Sequence, residues 1–209
     1  MRRIMGLYAA HIFPRLMDWI LRSDRYDKYR KATLATARGR VLEIGFGTGL
    51  NLPHYPSGVV SLTALDPKDM LPEKVRERIA AARFPVEIAH ASAERLPFPD
   101  AHFDSVVSTW TLCTIPDVNA ALREIARVLT PDGGLLFLEH GLSRDPRWVP
   151  WQHRLDPLQQ LVACGCHLDR PIDRLIEQAG LRLTSLERFV MEDSPRIIGE
   201  MYRGSAMRN

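Results

Sequence analysis

Three glycines alternate along "VLEIGFGTGLNLPHYP", the stretch from Val41 to Pro56. Gly45, Gly47 and Gly49 follow an apolar run, at the kind of turn where a backbone closely approaches an adenosine cofactor. A dinucleotide fingerprint has the spacing G-x-G-x-x-G, and its third glycine would fall at Leu50. A P-loop requires a Lys-Ser/Thr pair after the turn, and none follows. The spacing weakens the nicotinamide interpretation and excludes a P-loop, which leaves another cofactor built on adenosine.

The run "EIGFGTG", which has the form E-x-G-x-G-x-G, resembles motif I of the class I S-adenosylmethionine-dependent methyltransferases. The resemblance implies that the glycine turn contacts the methionine part of the cofactor. It also implies that an acidic residue ending the second strand binds both ribose hydroxyls, and Asp66 ends "VVSLTALD" at that position. An ionised carboxylate suits this role because it accepts two charge-assisted hydrogen bonds from a vicinal diol.

A second landmark, "HASAERLPFPDAHFDSVV", resembles the family's "GDAExLPFxDxxFDxV" and implies that Ala93 and Glu94 lie beside the adenine. Ser92 stands where many relatives have Asp, so a hydroxyl replaces the usual acceptor for the adenine amine. The resemblance as a whole implies a cofactor site formed by Glu43, Gly45, Phe46, Gly47, Thr48, Gly49, Asn51, Asp66, Pro67, Ser92, Ala93, Glu94, Thr109 and Leu112.

Four short elements resemble one branch of this family, which includes the microsomal thiol methyltransferases and their short bacterial relatives. They are "TLC" (111–113), "EH" (139–140), "WQ" followed by "LDP" (151–157), and "GC" followed by "L-x-R" (165–170). The similarity extends from about residue 38 to residue 190. It implies a small, largely apolar methyl acceptor, with a thiol as the first expectation. The acceptor-binding residues are then expected to be Trp110, Cys113, Trp151, Gln152 and Cys166.

Two residues are candidates for proton transfer from a thiol. His140 ends the fifth predicted strand, and a histidine side chain ordinarily titrates near neutral pH. The alternative is a histidine that only fixes local hydrogen bonds. Asp156 either orients such a histidine or caps a helix starting at Pro157.

No metal site is expected, because "CGCH" lacks the C-x₂-C spacing of structural zinc and free cysteine usually packs in apolar surroundings. Two other functions remain open: N- or O-methylation of a lipid headgroup or quinone-type acceptor, and a non-catalytic cofactor-binding protein. A nucleic-acid substrate is not expected, since "STWT" stands where an N/D-P-P-Y/W tetrad would lie.

Composition favours a single domain in a reducing compartment. The chain has 209 residues, and no apolar run approaches the length that spans a bilayer. The three cysteines form no even disulfide framework, which fits the cytoplasm. Residues 1–40 hold ten Lys/Arg and three acidic residues, which gives this segment a net charge of +7. The whole chain has a net charge of +3, so the remainder carries about −4. Peripheral contact of this segment with an anionic membrane is one alternative.

Hydrophobic periodicity predicts the elements that must position these residues. Residues 3–22 are amphipathic, with a break or kink at Pro14, and Ser23 caps a second helix reaching about Ala37. Strands are predicted at "RVLEI", "VVSLTALD", "PVEIAHA", "FDSVVST", "GGLLFLEH", "LRLTSLERFV" and "PRIIGEMYRG". Helices are predicted from Asp69 to Arg83, after a cap at Asp117 up to the turn "PDGG", and over "IDRLIEQAG".

Strands that alternate with helices predict an α/β fold whose parallel sheet is covered on both faces. The family resemblance sharpens this to a Rossmann-like seven-stranded sheet, mostly parallel with an antiparallel last strand. Residues 1–37 are expected to form a helical lid or membrane-contact segment. Residues 38–209 are expected to form the methyltransferase domain, with a helical substrate-site insertion at about 142–170.

Overall fold

Seven strands form one sheet in the computed structural model, which describes residues 8–68 and 70–208. The strands are β1 (Gly39–Ile44), β2 (Val59–Leu65), β3 (Val86–Ala89), β4 (Phe103–Thr109), β5 (Leu129–His140), β6 (Leu181–Val190) and β7 (Glu200–Arg208). Their order across the sheet is β3-β2-β1-β4-β5-β7-β6. The first five pair in parallel, and β7 is antiparallel to both β5 and β6. The predicted fold class is confirmed.

Helices connect and cover these strands. They are α1 (Phe13–Leu21), α2 (Asp24–Leu34), α3 (Pro72–Ala80), α4 (Val118–Val128), α5 (Val149–Val162), α6 (Ile172–Gln178) and the single turn α7 (Arg196–Gly199). A π-helical turn (Tyr8–Ile12) precedes α1, and a 3₁₀ turn (Leu52–His54) follows β1. Among the described residues, none of these helices is long and apolar enough to cross a membrane.

Two apolar clusters hold helices to opposite faces of the sheet. One contains Leu42 and Ile44 with residues of α4 and α6, and the other contains Val41 with Leu34 of α2 and Val75 of α3. The split follows from strand geometry, because successive side chains of a strand point to opposite faces. Both faces of the central strands are therefore buried, as a parallel sheet requires.

The strand order reverses between β1 and β4. From β1 the chain proceeds outward through β2 and β3, and from β4 it proceeds the other way through β5. In open α/β sheets this reversal leaves a crevice at the carboxyl ends of the strands, which is where ligands bind. The glycine turn after β1, Asp66 after β2, Trp110 after β4 and His140 at the end of β5 all lie at this edge.

Most predicted boundaries agree with the structure, and a few are wrong. "FDSVVST" and "LRLTSLERFV" match β4 and β6 in full, and Asp117 caps α4 by accepting a hydrogen bond from Ala120 N at 2.9 Å. By contrast, "PRIIGEMYRG" was expected to be all strand, but its first part forms α7 before β7 begins. "PDGG" was expected to be a turn, but it lies within β5, which starts directly after α4 at Leu129.

The N-terminal predictions need similar correction. Pro14 lies in the first turn of α1, directly after the π-helical turn, so the helical segment changes type beside the predicted break or kink. Ser23 precedes α2 without a side-chain cap bond, and α2 ends at Leu34. Residues 3–7 of the amphipathic segment and Asp69 of the third predicted helix lie outside the described residues.

Candidate active site

The glycine turn after β1 adopts left-handed backbone conformations at all three glycines, with φ of 69° at Gly45, 59° at Gly47 and 79° at Gly49. A Cβ at Gly45 would lie 2.2 Å from the Thr111 hydroxyl, and one at Gly49 would lie 2.9 Å from the Phe46 ring. A Cβ at Gly47 would meet only the Gly45 carbonyl oxygen, at 3.8 Å. The outer glycines therefore allow close packing against Thr111 and Phe46, whereas the space beside Gly47 is open.

Asp66 lies directly beside this turn. Its Oδ2 accepts a hydrogen bond from Gly47 N at 3.0 Å, and its Oδ1 accepts one from Lys68 N at 3.1 Å. The side chain is buried, and it lines the crevice together with Pro67. The carboxylate is thus held at the position where the family resemblance implies contact with a ribose.

A buried polar network lies beside the glycine turn. Glu43 on β1 accepts hydrogen bonds from Asn51 Nδ2 at 2.8 Å and from the Tyr55 hydroxyl at 2.7 Å. Burial raises the pKa of Glu43 to about 7, although these two hydrogen bonds lower it. Asn51 also donates to Thr109, while its Oδ1 is buried and has no hydrogen-bond partner among the described residues. That acceptor is available to a donor group of a ligand.

α1 is fixed to the glycine turn through one buried carboxylate. Asp18 accepts hydrogen bonds from the Thr48 hydroxyl at 2.7 Å, from Lys74 at 2.6 Å and from Arg78 at 2.7 Å. Burial by itself raises the pKa of Asp18, but the three hydrogen bonds outweigh it and lower that pKa to about 2. Arg78 also donates to the Thr48 carbonyl oxygen at 2.6 Å. The N-terminal helix is therefore attached to the turn it covers.

A cavity of about 730 Å³ fills the space between α1 and the carboxyl edge of the sheet. One face of α1 lines it through Pro14, Met17, Asp18 and Leu21, which follow the i, i+3, i+4, i+7 spacing of a helix face. The end of α5 and the loop after it also line the cavity. Most of the lining is apolar, as expected for a small-molecule site with a few placed polar groups.

Two cysteines and a histidine meet at one end of this cavity. Cys113, in the turn after β4, has its sulfur 3.5 Å from that of Cys166, in the loop after α5. The Cys166 sulfur is also 3.7 Å from Nδ1 of His140. Nε2 of His140 is buried and has no hydrogen-bond partner within the described part of the chain. This end of the cavity therefore holds two soft nucleophiles beside a group that can accept a proton.

Glu139 and Arg170 hold the turn that carries Cys113. Glu139 is fully buried and accepts hydrogen bonds from Ser108 Oγ at 2.6 Å and from the backbone N–H of residues 111 and 113 at 3.1 and 3.2 Å. Burial raises the pKa of Glu139 despite these hydrogen bonds. Arg170 donates to the carbonyl oxygen of Leu112. The "EH" and "L-x-R" elements were noted as signs of the family branch, but these two positioning roles were not predicted.

The structure brings most of the predicted site residues together. The predicted residues that line the cavity are Glu43, Gly45, Phe46, Gly47, Thr48, Asn51, Asp66, Pro67, Ser92, Ala93, Thr109, Trp110, Cys113, His140 and Cys166. Three expected cofactor residues lie outside the lining. Gly49 packs against Phe46, Leu112 is fully buried in the core, and Glu94 accepts hydrogen bonds from Ser92 Oγ and Asp117 N.

Trp151 and Gln152, which the sequence places at the acceptor, do not line this cavity. Trp151 is 54% exposed on the outer face of α5 and does not line the cavity. Gln152 is fully buried and accepts a hydrogen bond from Ser143 N, while it donates to the carbonyl oxygens of Gly141 and Ile197. The "WQ" element therefore fixes α5 to the segment that follows β5.

Asp156 also has a structural role. It lies within α5, which begins at Val149 because Pro150 suits a first helical turn, so the predicted cap of a helix starting at Pro157 is wrong. Its carboxylate accepts hydrogen bonds from Leu168 N at 2.7 Å and Gln160 at 2.6 Å, and it lies 3.0 Å from Nδ1 of His167. Asp156 is absent from the cavity lining and does not contact His140 through any of these bonds.

The same region contains a group of possible metal ligands that the sequence did not indicate. Ligand atoms of Asp156, His167 and Asp169 lie within 4.8 Å of one another. Two carboxylate–histidine pairs result: Asp169 lies 2.7 Å from Nδ1 of His153, and Asp156 lies 3.0 Å from Nδ1 of His167. The carboxylates are thus paired with neighbouring side chains that hold the loop following α5.

Several residues that line the cavity were missed. Met17, Asp18 and Leu21 come from α1, and Arg30 and Tyr26 from α2. Arg30 lies 5.0 Å from the Trp110 ring centre, which places a cation against one aromatic wall. Asp18 could have been found from the sequence, because it lies within the apolar repeat of α1 and an acid on the buried face of a helix needs a partner.

The described residues fit S-adenosylmethionine. The backbone is open at Gly47, a carboxylate stands at the end of β2, and the buried Asn51 oxygen is available to a donor. The cavity size of about 730 Å³ also suits a nucleoside-sized cofactor with space for a small acceptor. The fold and the residues that line the cavity resemble those of the class I S-adenosylmethionine-dependent methyltransferases.

Comparison with known proteins agrees with this class. Residues 42–137 match the sequence profile of a family described as a methyltransferase domain. The chain is 33% identical over 151 residues to the thiol S-methyltransferase TMT1A of Homo sapiens, covering 70% of this chain and 62% of that protein. It is 37% identical over 119 residues to a phosphatidylethanolamine N-methyltransferase of Cereibacter sphaeroides, covering 56% of this chain and 58% of that protein. The chain thus matches less than two thirds of the length of these relatives.

A solved S-adenosylmethionine-dependent methyltransferase of Thermotoga maritima shares the fold, with a TM-score of 0.66 and 19% identity over 96% of this chain and 99% of that one. The relatives matched in sequence thus include methyltransferases with different named acceptors, a thiol in one and phosphatidylethanolamine in another.

Proposed function

We propose that the protein methylates a small, largely apolar thiol. The observation that carries this proposal is a single cavity that joins the glycine turn and Asp66 to the end holding Cys113, Cys166 and His140. The similarity to human thiol S-methyltransferase TMT1A supports a thiol as the acceptor.

The chain's own residues divide the cavity into a cofactor side and an acceptor side. We assign Gly47, Asn51 and Asp66 to the cofactor, with Asp66 on the ribose and Asn51 near the amino-acid end. Ser92 and Ala93, which line the cavity beyond Asp66, are assigned to the adenine. When bound, S-adenosylmethionine supplies a methyl group that its sulfonium has already activated.

The acceptor side performs two tasks. Apolar lining keeps water away, which favours the meeting of a thiolate with a cation because charge disappears as they react. His140 is the group we assign to the acceptor's proton, since its buried Nε2 has no partner among the described residues. The enzyme otherwise acts by holding the acceptor in line, and such positioning supplies roughly 7 to 11 kcal/mol at best.

We further assign α1 to a lid over the cofactor. Its inner face lines the cavity, and Asp18 ties it to Thr48 of the glycine turn. A cofactor that enters beneath α1 requires this attachment to open, so Asp18 links cofactor exchange to the position of the helix. We place the protein in the cytoplasm, a reducing compartment that suits a chain whose three cysteines are free.

The acceptor proposal is tested with labelled S-adenosylmethionine and a panel of alkyl thiols, phenols, amines and phosphatidylethanolamine vesicles. We expect label in the thiols, and kcat/KM for thiol to fall about 100-fold or more in His140→Gln while the Kd for cofactor is unchanged. His153→Gln is the matched control, because His153 is an exposed histidine of α5 outside the cavity lining. Transfer to amines or lipid but not to thiols would refute the acceptor, and full activity in His140→Gln would refute the proton role.

A lipid amine is the second candidate, and an exposed apolar surface favours it. Ile12, Leu16 and Trp19 lie on the outer face of α1 and its preceding turn, with Trp19 70% exposed. Leu158 and Val162 are exposed on α5, and the Tyr8 hydroxyl joins the two elements by donating to the Val162 carbonyl oxygen at 3.0 Å. Basic residues in the same N-terminal segment complement an anionic membrane surface.

This candidate has its own measurement. If the surface meets lipid, the protein sediments with vesicles of phosphatidylethanolamine and phosphatidylglycerol at low salt, and Trp19→Ser reduces the bound fraction several-fold. Val60→Ser is the control, because Val60 is an exposed apolar residue of β2 outside this surface. Trp110→Ser is unsuitable, because Trp110 lines the cavity. No binding at low salt would remove the membrane surface from consideration.

A further inference from the structure

We propose that Cys113 and Cys166 form a redox-active dithiol, a modification site inside the methyl-transfer cavity that hydroperoxides oxidise reversibly to a disulfide. The geometry that carries this is the 3.5 Å separation of the two sulfurs, with His140 Nδ1 3.7 Å from the Cys166 sulfur. The consequence for methyl transfer rests on the proposed acceptor site, whereas the thiol chemistry does not.

The fold brings the two thiols together across 53 positions of sequence. Cys113 lies in the turn after β4, which Glu139 and Arg170 hold through its backbone. Cys166 lies in the loop after α5, and the two segments are joined directly, since His167 N donates to the Cys113 carbonyl oxygen at 2.8 Å. The pair is therefore fixed by backbone contacts on both sides and is not a chance approach of two mobile side chains.

The two sulfurs have unequal surroundings, which suits them to different steps. The Cys166 sulfur lies 3.7 Å from Nδ1 of His140, which can hydrogen-bond a thiolate there. The Cys113 sulfur is buried and lies 3.6 Å from the Thr114 hydroxyl instead. Cys166 is also the more exposed of the two. Cys166 is thus the thiolate that meets an oxidant first, and Cys113 is the resolving thiol.

The reaction balances with one hydroperoxide. The Cys166 thiolate attacks the outer oxygen of ROOH, the O–O bond breaks, and the released alkoxide leaves as ROH after taking the proton that Cys166 gave up. Cys166 is then a sulfenic acid. The Cys113 sulfur attacks it, the S–O bond breaks, and the departing hydroxide takes the Cys113 proton and leaves as water. Two thiols and ROOH give a disulfide, ROH and H₂O, and a small thiol reductant reverses the change.

Cys164 provides the internal control. It lines the same cavity, but its sulfur makes no hydrogen bond with any residue the structure describes, and burial raises its pKa. A protein whose cysteines were merely accessible to oxidant would react at Cys164 as well. Cys164→Ser is also the background needed for mapping, because Cys164 and Cys166 fall on one tryptic peptide and Cys113 falls on another.

The test uses the full chain in the Cys164→Ser background. Reduced protein is exposed to hydrogen peroxide, quenched with catalase, alkylated and analysed by mass spectrometry. We expect the two alkylation sites to be lost together and a linked peptide pair that dithiothreitol separates. In Cys113→Ser/Cys164→Ser, Cys166 should instead form a dimedone adduct. Phenylarsine oxide, which bridges paired thiols, should bind in one equivalent and be displaced by a dithiol far better than by a monothiol.

Other outcomes separate the two proposals. Retention of both free thiols in Cys164→Ser after peroxide, or a wild-type disulfide that uses Cys164, would overturn the dithiol. Disulfide formation without any loss of methyl transfer would leave the dithiol standing but place it outside acceptor binding. A dithiol that forms in a protein inactive toward every thiol would refute only the proposed acceptor.

Discussion

Two neighbouring residues of α5, which the sequence places at the acceptor, lie outside the cavity lining. Gln152 is fully buried with three hydrogen bonds, whereas Trp151 points outward. We expect Gln152→Ala to lower the free energy of unfolding by about 2 to 4 kcal/mol, because three buried backbone groups lose their partner. Trp151→Ala should change it by less than about 1 kcal/mol. Chemical denaturation of the two variants measures both, and a raised KM with unchanged stability in Gln152→Ala would restore an acceptor role.

Glu43 should make the stability of the protein depend on pH. Because burial raises its pKa to about 7 in the folded state, the folded protein holds a proton there that the unfolded chain releases nearer pH 4.5. The contribution of Glu43 to the free energy of unfolding is fully present below the pKa of the unfolded chain, 4.5, and is lost as the pH rises through about 7.

We therefore expect the free energy of unfolding of wild type, relative to Glu43→Gln, to fall by at most about 3 kcal/mol between pH 4.5 and pH 8. Denaturant titrations at several pH values, without cofactor, measure the difference. Parallel pH profiles for the two proteins would mean that Glu43 does not titrate in this range.

At the scale of elements, α1 depends on one ionised side chain. The folded state holds the pKa of Asp18 at about 2 against an ordinary value of 3.8, so its contribution is present above the ordinary value and is lost as the pH falls through about 2. It amounts to about 2 kcal/mol at neutral pH.

Asp18→Asn should release α1 from the glycine turn at pH 7 and lower the hydrogen-exchange protection of that helix about tenfold or more. Asp24→Asn is the control, because Asp24 is an exposed acid in the first turn of α2. Hydrogen exchange monitored by mass spectrometry measures both variants. Equal protection of α1 in wild type and Asp18→Asn would show that apolar contacts alone hold the helix.

At the scale of the whole molecule, cofactor binding joins β1, β2, β4 and α1 and should stabilise the fold by mass action. At 100 times its Kd, S-adenosylhomocysteine should add about 2.7 kcal/mol and raise Tm by roughly 5 to 10 °C. Asp66→Ala removes the carboxylate assigned to the ribose, so we expect its Kd to rise about tenfold or more and its Tm shift to shrink.

Differential scanning fluorimetry and calorimetric titration provide these values. Asp100→Ala is a suitable control, since Asp100 is an exposed carboxylate outside the cavity lining. An unchanged Kd in Asp66→Ala would contradict the ribose role. A lower Tm without ligand in this variant is expected in any case, because Asp66 also accepts hydrogen bonds from Gly47 N and Lys68 N.

The sequence by itself determined the fold class, indicated the cofactor and named many of the residues that line the cavity. Glycine spacing, the acid after β2 and the alternation of strands with helices are local patterns, and each depends on neighbours a few positions away. The missing third glycine at Leu50 separated this turn from a dinucleotide loop without any structure.

Only the tertiary structure decided how distant segments meet at the carboxyl edge. It set Asp18 on Thr48, joined Cys113 to Cys166, and turned Trp151 and Gln152 away from the cavity. A helical residue can face a ligand, the core or solvent with the same sequence pattern, because periodicity fixes which residues share a face but not what that face meets. The packing of α1 and α5 against the sheet makes that choice, and with it decides which residues line the cavity.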